Sequence, residues 1–225
     1  MGKCYVCFEP VVAAVTWETF LFQRQKHVLC EECSSKFVKL TGDLCEKCHR
    51  QNKEPICPDC TKWESSPEWQ GVLEKNVSLF LYNDFLRDLI ARFKYRGDYA
   101  LAEVFALELD EKFQTLSFDV VTTIPLSGDR LYERGFNQGE ALSLAAGIEP
   151  INLLSRTHSE KQSKKTRRER LHMEEIFSFI GTTDIQNKTI LIIDDIYTTG
   201  ATIRHAAKIL KVAGASKVSS ITIAR

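Results

Sequence analysis

The sequence predicts an α/β fold, a mostly parallel sheet flanked by helices, with a small cysteine-rich module at the N-terminus. Three observations predict it. Ile190-Leu191-Ile192-Ile193 is a run of branched apolar residues, which suits a strand buried on both faces, as parallel sheets require. From residue 77 onward, strand-like and helix-like segments alternate in the order of βαβ units. All eight cysteines lie before residue 61, in four Cys-x-x-Cys pairs.

The bulk composition narrows the function classes. At 225 residues the chain is long enough for one sizeable core plus a smaller module. Lys and Arg number 30 and Asp and Glu number 30, so any contact with nucleic acid has to come from a local patch. With 44% hydrophobic and 27% charged residues the composition is that of an ordered globular protein. No apolar run approaches membrane-spanning length, and Met1-Gly2-Lys3-Cys4 lacks a signal-peptide core. These features predict a cytoplasmic protein without membrane insertion, and leave attachment to the inner membrane face through a partner open.

The cysteines are Cys4/Cys7, Cys30/Cys33, Cys45/Cys48 and Cys57/Cys60. Paired thiolates at this spacing, without a secretory signal, suit tetrahedral zinc better than a disulfide framework. Taken in order they make two sets, Cys4/Cys7 with Cys30/Cys33 and Cys45/Cys48 with Cys57/Cys60. The alternatives are a cross-brace of first with third and second with fourth pairs, a single zinc, or a redox role. The expectation is two structural zinc ions, fully sulfur-ligated and with no open position for catalysis. Eight thiolates on two Zn²⁺ add about four negative charges by valence counting. The module's own acids and bases nearly cancel, which argues against gripping phosphates and for a docking or scaffold role. Ser65-Ser66-Pro67 marks the expected boundary, giving a Cys4-type zinc-binding domain over 1–66 and a second domain over 67–225. Chelation is expected to unfold 1–66 first.

The remaining elements follow in order. Val77–Tyr82 reads as a strand, with Asn83-Asp84 as turn or N-cap. Leu86, Leu89, Ile90 and Phe93 recur at helical spacing and predict an amphipathic helix over 84–95. Its end, Arg92-Phe93-Lys94-Tyr95-Arg96, interleaves bases with aromatics. That pattern suits single-stranded nucleic acid, and equally an ordinary basic helix C-terminus with core aromatics. A second helix is expected over 99–114 and a strand over Phe118–Ile124. A loop Leu126-Ser127-Gly128-Asp129-Arg130 follows, then Arg134-Gly135-Phe136-Asn137-Gln138 and a helix through Ala146. Residues 156–170 carry seven basic and two acidic residues in a polar stretch, which reads as a mobile basic loop running into a helix Arg167–Glu174, or as a solvated charge run. Ile176–Ile180 is expected as an edge strand, and Ser216–Ala224 is expected to close the sheet.

At the end of the Ile190–Ile193 strand stand Asp194-Asp195, then Ile196-Tyr197-Thr198-Thr199-Gly200-Ala201-Thr202, opening onto a helical run through Val212. Ligands of open α/β sheets bind outside the carboxyl ends of the strands, and a helix N-terminus attracts an anion. Three threonine hydroxyls add donors, and Gly200 allows close backbone approach. Two carboxylates suit sugar hydroxyls, so the stretch predicts a sugar phosphate.

Here the chain resembles the type I phosphoribosyltransferases, whose loop for phosphoribosyl pyrophosphate (PRPP) runs hydrophobic strand, two acids, then Thr-Thr-Gly-x-Thr. The resemblance implies a type I phosphoribosyltransferase-like domain over 67–225. It implies that Asp194 and Asp195 face the ribose hydroxyls as the only catalytic candidates, that Tyr197, Thr198, Thr199, Gly200, Ala201 and Thr202 complete the PRPP site, and that Mg²⁺ accompanies PRPP. It also implies a pyrophosphate site after the Phe118–Ile124 strand, where Ser127, Arg130 and Arg134 stand; guanidinium forks suit phosphate oxygens. A flexible hood is implied at the basic loop, where Lys161, Lys164, Lys165, Arg167 and Arg168 would touch pyrophosphate or a DNA backbone. No base-selecting motif is present, so an intact PRPP loop stands without a recognisable acceptor site, and whether the chain is an enzyme stays open.

The strand-end Ile-Pro-Leu, Arg-Gly-Phe-Asn-Gln, Ile-Asp-Asp-Ile-Tyr-Thr-Thr-Gly-Ala-Thr and the N-terminal Cys-x-x-Cys pairs together resemble the ComF family of competence proteins, ComFC type, over essentially the whole chain. This implies a role in uptake of single-stranded DNA during natural transformation, with the ComFA helicase-like ATPase as partner. The alternative is an active phosphoribosyltransferase joining PRPP to a base or amine and releasing pyrophosphate. A third reading is a zinc-dependent nucleic-acid binder with a vestigial PRPP pocket.

Overall fold

A computed structural model describes residues 2–11, 28–156 and 177–225. The central sheet has four parallel strands: β3 (Asn76–Phe80), β4 (Val120–Thr123), β7 (Thr189–Ile196) and β8 (Lys217–Ala224), in spatial order β3-β8-β7-β4. The final strand therefore does not close the sheet. It lies between β7 and β3, and β3 is the edge. Residues on β7 alternate between two cores, as a strand of period two must. Ile190 and Ile192 pack in the core that contains α7 (Ala201–Val212). Leu191 and Ile193 pack in the core formed with α3 (Asp84–Tyr95), α4 (Ala106–Phe113) and α6 (Gln138–Ala145).

The helix α3 begins where Asn83 accepts a hydrogen bond from the Leu86 N–H, and it buries Leu86, Leu89, Ile90 and Phe93, the predicted stripe. The predicted second helix is a 3-10 turn, Tyr99–Val104, followed by α4. The expected loop after β4 is instead the helix α5 (Gly128–Arg134), capped by Ser127, whose Oγ accepts from the Arg130 N–H, and stopped by the left-handed Gly135 at φ 77°. Asn137 then caps α6 and ties it to the sheet. Its Oδ1 accepts from the N–H groups of Gly139 and Glu140, and its Nδ2 donates to the Ile124 carbonyl. Gly139 lets this helix lie against the sheet; a Cβ there would sit 2.7 Å from the Ile193 carbonyl oxygen.

Phe177–Phe179 (β6) is a strand, as expected, but not an edge of the main sheet. It pairs antiparallel with β5 (Leu154–Arg156), and Leu154 and Phe177 join the core beside α7. The predicted helix Arg167–Glu174 lies outside the described residues.

The cysteine-rich segment uses one local plan twice. Cys4 and Cys45 each begin a tight turn whose residue after the second cysteine has positive φ, Phe8 at 66° and His49 at 64°. Phe8 N–H donates to the Cys4 carbonyl, and His49 N–H to the Cys45 carbonyl. Cys30 and Cys57 each stand at the N-cap position of a short helix, α1 (Glu31–Ser34) and α2 (Pro58–Glu64), and the Cys30 sulfur accepts from the Cys33 N–H. The pairs thus alternate between turns and helix starts. The small antiparallel pair β1 (Gly2–Lys3) and β2 (Pro10–Val11) flanks the first turn.

This segment also covers the free edge of β3, a position that invites mispairing if left open. Lys39 bridges to Phe80, Leu40 N–H donates to Leu79 O, and Asn76 N–H donates to Lys47 O. Beneath it, Asn76, Ser78, Ser220 and Thr222 are buried polar residues that satisfy one another at 2.8 Å.

Candidate functional site

Past the last β7 residue the chain turns over a buried tyrosine. Tyr197 packs in the core, and Gly200 above it has φ 80°. Any side chain at 200 would be strained there and would collide with the Tyr197 hydroxyl. Three consecutive carbonyls of this turn are tied down. The Arg225 Nη1 donates to Tyr197 O at 3.1 Å and Thr198 O at 2.7 Å. Trp63 Nε1 donates to Thr199 O at 3.1 Å. Among the described residues, the N–H groups of Thr199 and Gly200 donate to nothing. Carbonyls held and amides free is the polarity of an anion-binding turn, reinforced by the start of α7. The structure brings Thr198, Thr199, Gly200, Ala201 and Thr202 into this one turn, with Thr198, Thr199 and Thr202 exposed.

The two acids before it are not equivalent. Asp195 continues the Leu191–Ile193 row, is only 6% exposed, and its Oδ2 lies 2.8 Å from Lys94 Nζ on α3. Asp194 continues the other row. Its carboxyl is pushed up to about 7 by burial and by the neighbouring Asp195, with Lys94 and Arg134 opposing. The basic-aromatic end of α3 is thus divided among separate tasks. Phe93 is core, Tyr95 is 70% exposed beneath Arg134, and Arg92 donates to the Val6 carbonyl and pairs with Asp98 at 2.9 Å.

Of the predicted pyrophosphate group, Ser127 spends its hydroxyl as the α5 cap. Arg134 donates to Gln138 Oε1 at 2.7 Å, and Arg130 lies exposed on α5. Both arginines and Asp194 act electrostatically on Arg156, whose pKa is lowered chiefly by burial and then by the two like charges. Arg130, Arg134 and Asp194 therefore lie within electrostatic reach of Arg156. Lys161, Lys164, Lys165, Arg167 and Arg168 lie outside the described residues.

The sulfur groups fall together as the in-order pairing predicts. Cys4, Cys7, Cys30 and Cys33 form one set and Cys45, Cys48, Cys57 and Cys60 the other, with all Sγ atoms of each set within 4.8 Å. Cys7 and Cys30 sulfurs are 3.6 Å apart, as are those of Cys48 and Cys57. A tetrahedral metal with bonds of about 2.3 Å to sulfur needs neighbouring sulfurs roughly 3.8 Å apart, so both sets are placed to hold a metal ion.

Sequence reasoning missed four residues that support the turn: Lys94, Trp63, Arg225 and Arg204. Arg204 is fully buried, pairs with Glu64 at 3.0 Å, and lies over the Trp63 ring at 5.3 Å. It did leave a signal. A basic residue in the first turn of a helix opposes the helix dipole, so a buried partner had to justify it.

Two cavities flank the turn. One of about 350 Å³ is lined by Asp59, Lys62, Trp63, Trp69 and Thr199. The other, about 450 Å³, reaches Tyr197, Thr198 and Arg225. Among the described residues no helix is long and apolar enough to cross a membrane.

Residues 152–225 match the family model described as the phosphoribosyl transferase domain. The chain is 37% identical to Competence protein ComFC of Streptococcus pneumoniae over 99% of its own length and 100% of that protein. It is 36% identical to Competence protein ComFC of Bacillus subtilis, over 99% of this chain and 94% of the other. DNA utilization protein YhgH of Escherichia coli K12 is 25% identical over 96% of this chain and 94% of the relative. Among solved structures, glutamine PRPP amidotransferase from B. subtilis aligns over 55% of this chain and 26% of that chain, at 20% identity and a TM-score of 0.39. Identity above one third from end to end, over a parallel sheet and two tetracysteine groups, makes this chain a member of the ComFC family of competence proteins.

Proposed function

We propose that this chain acts in the uptake of single-stranded DNA during natural transformation, with PRPP or a related 5-phosphate sugar held in the Thr198–Thr202 turn. The observation that carries the reading is the turn's polarity: three carbonyls held by Arg225 and Trp63, amides free, and Gly200 seated on Tyr197. The relatives' names supply the competence and DNA setting. In this reading Thr198, Thr199, Gly200, Ala201 and Thr202 bind the 5-phosphate, and Asp194 faces the ribose hydroxyls. Asp195 is held by Lys94 and fixes the end of β7. Arg130, Arg134 and Arg156 receive the pyrophosphate with its Mg²⁺, and Ser127 holds α5 in place. The basic loop with Lys161, Lys164, Lys165, Arg167 and Arg168 contacts pyrophosphate or DNA. Two zinc ions hold the tetracysteine sets, and a ComFA-type ATPase is the partner, in the cytoplasm at the membrane's inner face.

Calorimetric titration of PRPP with Mg²⁺ tests the site. Binding is expected for the native chain and a loss of at least 10-fold for Gly200→Ala, whose Cβ meets Tyr197. Absence of binding by the native chain would remove the reading.

The grouped arginines also favour a second reading, an active phosphoribosyltransferase. Charge developing on departing pyrophosphate would be stabilised where Arg130, Arg134 and Arg156 stand. Release of pyrophosphate with a purine, pyrimidine or amine acceptor would select it.

A further inference from the structure

We propose that the cavity beside Thr199 is a nucleobase site, so that turn and cavity together take a phosphate and the base next to it. This rests on the turn binding phosphate, as proposed above. The cavity has a volume of about 350 Å³, and Thr199, a member of the turn, forms part of its wall. A base in it would therefore lie immediately beside a phosphate in the turn.

The wall chemistry selects a flat ring. Trp63 and Trp69 meet at 5.1 Å between centroids with planes 78° apart, forming a near-right-angled corner. A planar ring can stack on one indole while its edge meets the other, whereas an aliphatic chain would leave the corner half-filled. Both rings are fixed. Trp63 is tethered by its N–H to Thr199 O, and Trp69 packs on His205 at 4.7 Å. Each also carries a cation against it, Arg204 at 5.3 Å from Trp63 and Lys208 at 4.8 Å from Trp69. Glu64 and Glu68 hold those cations at 3.0 and 2.6 Å.

The charges suit a nucleotide. Lys62 lines the cavity, is exposed, and has no carboxylate partner among the described residues. Asp59, the one acid among the described residues that line the cavity, is paired with Arg50 at 2.9 Å. Aromatic platforms beside cations are the usual means of holding single strands without reading their sequence.

The nucleobase has two sources, a free nucleotide or a single strand. The test uses the full-length metal-loaded chain with three probes: PRPP with Mg²⁺, a deoxynucleoside 5′-monophosphate, and a 5′-phosphorylated oligodeoxythymidylate carrying one 2-aminopurine. The native chain is expected to quench 2-aminopurine emission by stacking. Trp69→Ala is expected to weaken oligonucleotide binding roughly 10-fold and abolish the quench, with PRPP affinity within about 3-fold of native. Trp69→Phe is expected to restore most of the loss. Binding of the monophosphate with the same Trp69 dependence assigns the site to free nucleotides, and binding of the oligonucleotide alone assigns it to a strand. Equal oligonucleotide binding by native and Trp69→Ala chains overturns the base site, as does equal loss of PRPP and oligonucleotide. PRPP binding without either nucleotide probe overturns the base site and leaves the turn's assignment standing. Failure of all three probes on the native chain removes the phosphate assignment itself.

Discussion

The two tetracysteine sets share a local plan and differ in where they sit. In the first, Cys7 is exposed and Cys30 partly so, and its buried neighbours Cys4, Val11 and Cys33 form a small core of their own. In the second, all four cysteines are buried within the same core as Ile190, Ile192, Tyr197 and Leu210. The first is attached to α3 through Arg92, which donates to Val6 and Tyr5 carbonyls and lies over Phe8. The second sits under the Thr198–Thr202 turn. Tyr197 lies within electrostatic reach of Cys48 and Cys60, and α2, which follows directly on Cys57, carries Trp63 and Glu64 to the turn and to α7. One tetracysteine set decorates the sheet. The other is part of its core.

The largest effect that sharpens this contrast is expected from Cys60→Ser. Loss of one thiolate from a buried structural set should cost about 3 kcal/mol or more, seen as a fall in Tm on the order of 10 °C. PRPP affinity should fall with it, because Tyr197 and Trp63 lose their foundation. Calorimetry of unfolding and of binding on one sample checks both. A Cys60→Ser chain with native Tm and affinity would dissolve the distinction.

The next effect concerns Arg204, the buried link between α7 and the second set. Arg204→Ala leaves Glu64 without its partner and opens space under Trp63, at a cost of roughly 3 kcal/mol. Arg204→Met combined with Glu64→Gln fills the space and removes both charges, so stability should largely return, because uncharged replacement of a buried pair as a whole is often neutral. Phosphate affinity should not return fully, since Trp63 then holds Thr199 less firmly. Denaturant midpoints against binding constants for the two variants separate these terms.

A third effect belongs to Asp194, at the end of the strand that the second set supports. Its folded pKa of about 7 lies above the ordinary carboxyl value of 3.8. Between those values the folded state binds the extra proton, so this contribution to stability is present at acid pH and fades as pH rises through about 7. From pH 5.5 to 7 the loss should be of order 1 kcal/mol, and Asp194→Asn should flatten the slope. Affinity for sugar hydroxyls should move the opposite way, rising several-fold from pH 6 to 8 as the carboxylate forms. Midpoints and titrations across that range check both directions.

Much of this was legible in the sequence, and the exceptions share a cause. The in-order cysteine sets, the α3 stripe and the strand before Asp194 are all carried by spacing along the chain, so they could be read. The Asp194-Asp195 pair could be read as a site, but its division could not. That depends on strand alternation sending Asp195 to Lys94, about a hundred residues earlier. Trp63 and Arg225 were hidden for the same reason; each acts on the turn from a distant element. The expected boundary at Ser65-Ser66-Pro67 follows a real change in composition, yet the contacts of Glu64 with Arg204 and of Glu68 with Lys208 tie both sides of it to α7. Composition reports where residue usage changes and is blind to what packs across the change.

The smallest effect is expected at the first set. Cys7→Ser removes an exposed ligand, and the core it disturbs is confined to Cys4, Val11 and Cys33 with their neighbours. The path from there to the Thr198–Thr202 turn runs through α3, where Arg92 lies two residues from Lys94, the partner of Asp195. Arg92 also pairs with Asp98 at 2.9 Å, a contact that uses no residue of the first set, so the end of α3 should hold its position. Hydrogen exchange should therefore quicken over residues 2–11 and 28–35, while β7 and α7 stay protected. PRPP affinity should stay within about 3-fold of native, and a chelator should strip the exposed set before the buried one. A Cys7→Ser chain that loses the phosphate site as completely as Cys60→Ser would make the two sets one cooperative unit, with α3 as the element that joins them.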